Sequence, residues 1–525
     1  MLARVRSAAL LGIDAYGVDV EVDIANGLPS FNTVGLPQGA VREGRERVTA
    51  ALVNSGFFPP LKRITVNLAP ADIKKDGSGF DLPIAVAILV ASGQLEAKAL
   101  ERTLLVGELG LEGDLRPVRG ALSVALAARG LGLEAVVIPE ANVAEAAVVD
   151  GVAVLGARSL GAVCRHLSGA VPLVPAVADP AAAVAGSDGD AVDFADVRGQ
   201  PAAKRALEVA AAGGHNILLI GPPGAGKTML ARRLPTILPA FSLEEALEAT
   251  RIHSVAGLLA PGRSLLAARP FRAPHHTISD AGLIGGGPNP RPGEVSLAHG
   301  GVLFLDELPE FRRNVLEVLR QPMEDGCVTL SRAAVSLTYP ARFTLAAAMN
   351  PCPCGYAGDP TRSCRCDPVA VERYFARLSG PLLDRIDIHL RVPAVGHGEL
   401  CSEHAEESSA SIRARVEAAR ARQRARFAGR PGLHANAHMG SRDLRRYCAL
   451  DGGGQALLRR AMTRLGLSAR AYHRVLKLAR TIADLEEAPA ILERHLSEAI
   501  QYRSLDRGRA GVGAPQEGSW GGEGA

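Results

Sequence analysis

Gly221-Pro222-Pro223-Gly224-Ala225-Gly226-Lys227-Thr228 is the stretch on which the fold turns. It satisfies the pattern G-x-x-x-x-G-K-[ST]. Its glycines let backbone N–H groups turn inward onto phosphate oxygens that side chains would otherwise block. The apolar run Asn216 to Ile220 before it predicts a strand, and Met229 to Leu234 after it predicts the start of a helix. A helix N-terminus there adds a favourable dipole for an anion. The expectation is an ATP site, with Lys227 reaching the β and γ phosphates and the Thr228 hydroxyl a ligand of Mg²⁺.

Working outward, Gly301-Val-Leu-Phe-Leu-Asp306-Glu307-Leu308 is an apolar strand ending in two carboxylates. After a phosphate loop such a pair suits metal and base chemistry better than a mere helix cap. Asp306 would belong to the Mg²⁺ shell, and Glu307 would orient and deprotonate the attacking water.

Strands followed by helices from Val192 onward predict a parallel α/β sheet. Before it, residues 1–168 mix strand patterns (Val18 to Ile24, Ile64 to Leu68, Ala135 to Ile138) with helical ones (Val41 to Ser55, Ala121 to Ala128). The basic, apolar beginning is broken by Asp14 and continues in alternation through Asp23, so it predicts a strand and not a signal peptide. Residues 169–190, rich in Ala, Pro, Gly and Asp, predict a linker. Beyond about Val395 the chain turns helical and arginine-rich as far as Arg507, and 508–525 has the composition of a disordered tail.

The division expected for the 525 residues is therefore 1–168, a linker, 191–395, 396–507 and a tail. Hydrophobic residues make up 47% and charged ones 22%, as in soluble globular proteins. A net charge of +4 is too small to argue for nucleic acid unaided. The most apolar segment, Leu82 to Ala91, is far short of a membrane span. The expectation is a cytoplasmic protein that does not enter membranes.

These residues resemble the AAA+ ATPases, and within them the magnesium-chelatase-like ComM/YifB family, over nearly the whole chain. Asp193-Phe-Ala-Asp-Val-Arg-Gly199-Gln200 is similar to the family's opening segment beside the adenine. Asn350, ending the strand Phe343 to Met349, resembles sensor 1, which senses the γ-phosphate. Leu382-Leu-Asp-Arg385-Ile-Asp resembles the arginine-finger segment. The resemblance implies that Arg385 reaches a neighbouring subunit's ATP, the alternative being a salt bridge to Asp384 or Asp387. Arg470 is the candidate for sensor 2, with Arg474 one helical turn on as its rival.

Two insertions resemble the channel loops of related ring motors that grip DNA. One is the glycine- and proline-rich excursion from Phe271 to Gly293. The other, Val328 to Thr338, alternates like a β-hairpin and places Arg332 near a phosphate. His275 and His276, in the first, are read as loop-packing residues before ligands or contacts. Residues 75–83, 110–120 and 135–140 resemble the Lon protease domain. The serine position of that family falls on Gly79, with Ser78 one place early, and its lysine position falls on Leu122. The dyad is thus missing, and the implied fold class is α/β and multidomain: a Lon-like α+β N-terminal domain, an AAA+ core and a helical lid.

Cys352-Pro-Cys354 and Cys364-Arg-Cys366 offer four thiolates in a short loop, which suits a structural tetrahedral Zn²⁺. Reduced, metal-free cysteines are the alternative. Arg413, Arg415, Arg420, Arg422, Arg424, Arg426 and Arg430 flank only one acid, Glu417, and read equally as a phosphate-contacting helix or as a solvated one. The expected function is a ring-forming, homo-hexameric ATPase on single-stranded, branched or three-stranded DNA. The resemblance implies helicase and branch-migration activity during recombination in natural transformation. A metal-insertion motor working with a chelatase partner is the alternative, and an ATP-dependent protease is disfavoured by the missing dyad.

Overall fold

A computed structural model describes residues 1–96, 100–179, 192–260, 262–287, 290–332, 335–359, 362–394, 396, 406–430 and 432–503, the side chains of Arg332 and Val335 excepted. The expectations for 180–190, for the Arg332 side chain and for the tail at 508–525 lie outside the described residues.

The chain begins with a hairpin. Leu2–Leu11 pairs antiparallel with Asp14–Ala25, turning at Gly12, whose φ is +66°. Alternation buries Val5, Val18, Val20 and Val22 on one face. On the other, Arg4 lies opposite Glu21 and Arg6 opposite Asp19, with ion pairs of 2.7 and 2.9 Å. One predicted strand is thus two, because alternation continues through a tight turn without changing its period.

Seven strands form this sheet, in the spatial order Ser30–Val34, Arg63–Ala69, Asp14–Ala25, Leu2–Leu11, Thr103–Leu105, Ala135–Pro139, Ala153–Ala157. The helix Asp81–Ala91 is apolar almost all round, and it is buried almost all round in the core beneath the sheet. Among the described residues no helix is long and apolar enough to cross a membrane.

The second sheet has five parallel strands, in the order Phe271–Arg272, Val302–Leu305, Thr344–Met349, Ile217–Ile220, Ile388–Arg391. Ile220 stands beside both Met349 and Arg391. The strand Ile217–Ile220 is fully buried and lies where the chain order along the sheet reverses. In open parallel sheets the crevice beyond the carboxyl ends at such a point is where ligands bind. Gly221, Asp306 and Asn350 each follow one of these strands closely, so three segments distant in sequence open on one crevice.

Helices Pro201–Gly213, Lys227–Ile237, Ser409–Arg426 and Ala469–Leu485 share a core with this sheet. A buried polar cluster ties the C-terminal helices to the foot of the P-loop strand. His215 Nδ1 lies 3.2 Å from Asp387, and its Nε2 lies 2.8 Å from the Thr481 hydroxyl. Asp387 also pairs with Arg474. Asn216 accepts from the Leu345 N–H at 2.8 Å and donates to the Arg385 carbonyl at 3.1 Å, joining three strands at their roots.

The two sheets meet through the helix Leu243–Ala256. Ser254 donates to Glu145 at 2.5 Å, and Ile252 packs with Ile13, Leu297, Leu337 and Tyr339. The hairpin Cys327–Arg332 with Val335–Pro340 forms as expected, antiparallel with Thr329 opposite Thr338. Its root is held from two sides. Leu337 faces the Gly12 turn, and the Tyr339 hydroxyl donates to the Pro290 carbonyl at 2.7 Å.

Candidate nucleotide site

The loop Gly221 to Gly226 leads into the helix Lys227–Ile237, entered through Gly224 and Gly226 at φ +81° and +77°. Such left-handed turns are nearly strain-free only for glycine. At Gly221 the constraint is space, since a Cβ there would fall 2.1 Å from the Val392 carbonyl oxygen.

Lys227 is 9% exposed, and its ammonium donates to the carbonyls of Gly221 at 2.7 Å and Pro222 at 2.9 Å, and to Asn350 Oδ1 at 3.2 Å. Burial pulls its pKa below the ordinary lysine value, while the carboxylates of Asp306 and Glu307 oppose that shift. The Thr228 hydroxyl donates to Asp306 Oδ2 at 2.7 Å. The Glu307 N–H donates to the other Asp306 oxygen at 2.9 Å. Glu307 itself has φ +52°, and its carboxylate is 59% exposed. The structure thus gathers Gly221 to Thr228, Asp306, Glu307 and Asn350 at one place. A hydroxyl and a carboxylate in contact suit a hard divalent cation, and a solvent-facing carboxylate beside them can take a proton from water.

Two further residues join them. Gln200, at φ +54°, donates from Nε2 to the Ala225 carbonyl at 2.9 Å and the Pro393 carbonyl at 3.3 Å, bracing the loop. His276 is more than loop packing, because its Nδ1 lies 3.5 Å from Glu307 Oε2 and its ring lies against His275 with centroids 4.1 Å apart. His275 fits the packing reading, with its Nδ1 3.0 Å from the Thr277 hydroxyl. Local spacing offered no signal for the His276 contact.

Arg385 and Arg470 stand apart from this group. Arg385 is buried, pairs with Glu324 and donates to the Pro381 carbonyl at 2.6 Å. The salt-bridge alternative is therefore corrected in its partner: Glu324 takes the place of Asp384 or Asp387, because Asp387 is already held by Arg474 and His215. Arg470 is 68% exposed, 4.0 Å from Asp384. Its rival Arg474 belongs to the buried cluster under the strand.

The arginine-rich helix is tied into the fold by its own cations. Arg415 pairs with Glu208 and Glu407, Arg426 with Asp484, Arg422 with Glu487 and Arg430 with Asp443. Arg413 donates to the Thr236 carbonyl at 2.7 Å, and Arg420 to the His434 carbonyl at 3.1 Å. These six of the seven cations have partners within the chain, and Arg424 is exposed.

In the N-terminal sheet region a side chain at Gly79 would meet Val106, its Cβ 3.1 Å from Cγ1. Leu122 is fully buried in an apolar cluster, and the Ser78 hydroxyl bonds the Glu108 carboxylate, not an amine. The four cysteines do converge, all sulfurs within 4.8 Å of one another.

Three family models match, in chain order. Residues 20–142 match the subunit ChlI of Mg-chelatase. Residues 193–400 match magnesium chelatase, subunit ChlI, and 406–503 its C-terminal part. The chain is 48% identical over 513 residues to the protein YifB of Salmonella typhimurium, covering 96% of this chain and 98% of that one. It is 46% identical over 510 residues to the competence protein ComM of Haemophilus influenzae, again covering 96% and 98%. Lon protease 2 of Bacillus subtilis is 31% identical over 149 residues, 27% of each chain. With the P-loop crevice on a five-stranded parallel sheet and full-length likeness to these proteins, the chain belongs to the magnesium-chelatase-like AAA+ family that includes YifB and ComM.

Proposed function

We propose that the protein is a cytoplasmic, homo-hexameric ATPase that moves on DNA, an ATP-dependent helicase or branch-migration motor serving recombination during natural transformation. The observation that carries the chemistry is the convergence of Lys227, Thr228, Asp306, Glu307 and Asn350 on the crevice. The likeness to a competence protein over nearly the whole chain supports the DNA task. In this reading the loop Gly221 to Gly226 cradles the phosphates and Lys227 meets the β and γ groups. Thr228 and Asp306 hold Mg²⁺, Glu307 takes the proton of the attacking water and Asn350 aligns the γ-phosphate. Arg385 acts on the neighbouring subunit's ATP once Glu324 releases it, and Arg470, exposed near Asp384, serves as sensor 2.

Hydrolysis stimulated by forked or three-stranded DNA at low salt, with strand displacement lost in Lys227→Ala and Glu307→Gln, is the expected result. An ATPase indifferent to every DNA at low salt would sink the motor reading. The family models favour a second reading, a magnesium-chelatase-type motor for metal insertion. Stimulation by a chelatase partner, and not by DNA, would select it.

A further inference from the structure

Four thiols sit beside the nucleotide crevice in a geometry that no covalent pairing explains. Cys352 and Cys354 sulfurs are 3.3 Å apart, and each lies 3.6 Å from that of Cys364. A disulfide requires about 2.05 Å. Four thiolates around tetrahedral zinc, with bonds of about 2.3 Å, stand about 3.8 Å from one another. The sulfurs are spread as ligands of one soft cation. Backbone amides point at them as well. The Cys354 N–H donates to Cys366 Sγ at 3.4 Å, Ala357 to Cys352 Sγ at 3.3 Å, and Cys366 to Cys364 Sγ at 3.4 Å. Such N–H···S bonds orient thiolates and temper their charge.

The loop that carries them is wedged against the phosphate loop. Cys352 is fully buried two residues beyond Asn350, whose side chain takes the Lys227 proton donor. Gly355, at φ +87°, lies so close to the loop that a Cβ there would fall 2.8 Å from Pro223 Cδ. Between Met349 and the helix Pro368–Ala376 no other regular element is present among the described residues. The entropy of ordering such a segment, about 1–2 kcal/mol per residue, must be offset by something other than a secondary-structure ladder. A bound metal does this, since its binding free energy becomes folding free energy.

We propose that Cys352, Cys354, Cys364 and Cys366 form a closed structural zinc site that presses Gly355 onto Pro223 and fixes Asn350, so that metal occupancy sets how tightly the crevice holds a nucleotide. The proposal rests on Gly221 to Thr228 being the nucleotide site.

The test measures two quantities on the full chain: zinc per chain by elemental mass spectrometry, and Kd for a fluorescent ADP. Protein purified without chelator is compared with chelated and zinc-restored samples, and with Cys364→Ser, Cys366→Ser, Gly355→Ala and Lys227→Ala. One zinc per chain is expected. Chelation and either cysteine change should remove it and weaken ADP binding about tenfold, reversibly for the chelated protein. Gly355→Ala should keep its zinc and still bind ADP more weakly, whereas Lys227→Ala should keep zinc and lose ADP. Protein without zinc, or zinc lost with Kd unchanged, overturns the inference. If the cysteine variants do not fold, the chelation arm on the unaltered chain decides. Zinc present with no ADP bound by the unaltered chain would instead sink the nucleotide reading.

Discussion

Glu307 stands in left-handed backbone, at φ +52°, with its N–H bonded to Asp306 and its carboxylate turned toward His276. A non-glycine residue in that region costs of order 1 kcal/mol and persists only where its surroundings enforce it. Here the bond to Asp306 and the turn into Leu308–Glu310 do so. Glu307→Gln should bind ATP with unchanged affinity and release phosphate at least about 10²-fold more slowly, the difference read by comparing nucleotide titration with turnover. His276→Ala should lower kcat about tenfold at unchanged nucleotide Kd, because the imidazole aims the carboxylate. Equal effects on both quantities would assign His276 to loop packing alone. At this scale GPPGAGKT and the Asp306-Glu307 pair were legible because each motif is contiguous. The contacts of His276 with Glu307 and of Gln200 with Ala225 were not, since each crosses a gap in sequence that no periodicity spans, although resemblance places the Gln200 segment beside the nucleotide.

At the scale of elements, the same distinction decides which helices are read correctly. Buried strands such as Val302–Leu305 announce themselves by an unbroken apolar run bounded by polar residues. The helix Ser409–Arg426 announces only its cations, and their partners lie far away: Glu208 is 207 residues from Arg415 and Asp484 is 58 from Arg426. Charge density is visible in a sequence, but charge pairing is a property of packing. The buried cluster under the P-loop strand makes a quantitative prediction. Asp387→Ala takes the buried carboxylate away from Arg474, His215 and Lys477, and should cost about 3–5 kcal/mol in the urea transition of the helical region. Asp387 is the group most deeply committed there. Burial raises its pKa, yet Arg474, His215 and Lys477 together hold it far below the ordinary carboxylate range.

The whole molecule carries a pH dependence from histidines buried neutral. Burial, reinforced by Arg503, pulls His389 down to about 3, and burial also lowers His215. The unfolded chain protonates a histidine near pH 6.5, while the fold keeps His389 neutral until much lower pH. The His389 contribution is complete above about 6.5 and is lost as the pH falls toward 3, at up to about 1.4 kcal/mol per unit. The melting temperature should therefore decline from pH 7 to pH 5, and less steeply in His389→Gln.

Packing between the two sheets is the least legible level of all, because the surfaces that meet belong to helices and turns with no pattern in common. Ile252, fully buried between Ile13, Leu297, Leu337 and Tyr339, illustrates it. Truncation to alanine should destabilise the assembly of the two halves by about 2–5 kcal/mol, read as a lower melting temperature.

That contact has a mechanical meaning. The hairpin Cys327–Pro340 is clamped at its root by the Gly12 turn through Leu337 and by the segment at Pro290 through Tyr339. A beam fixed in this way cannot swing at its root without loading both mounts. The N-terminal sheet is then one of the two supports of the hairpin, not an appendage beside it. Cutting it away would strip the hairpin root of its Leu337 support even with every crevice residue in place.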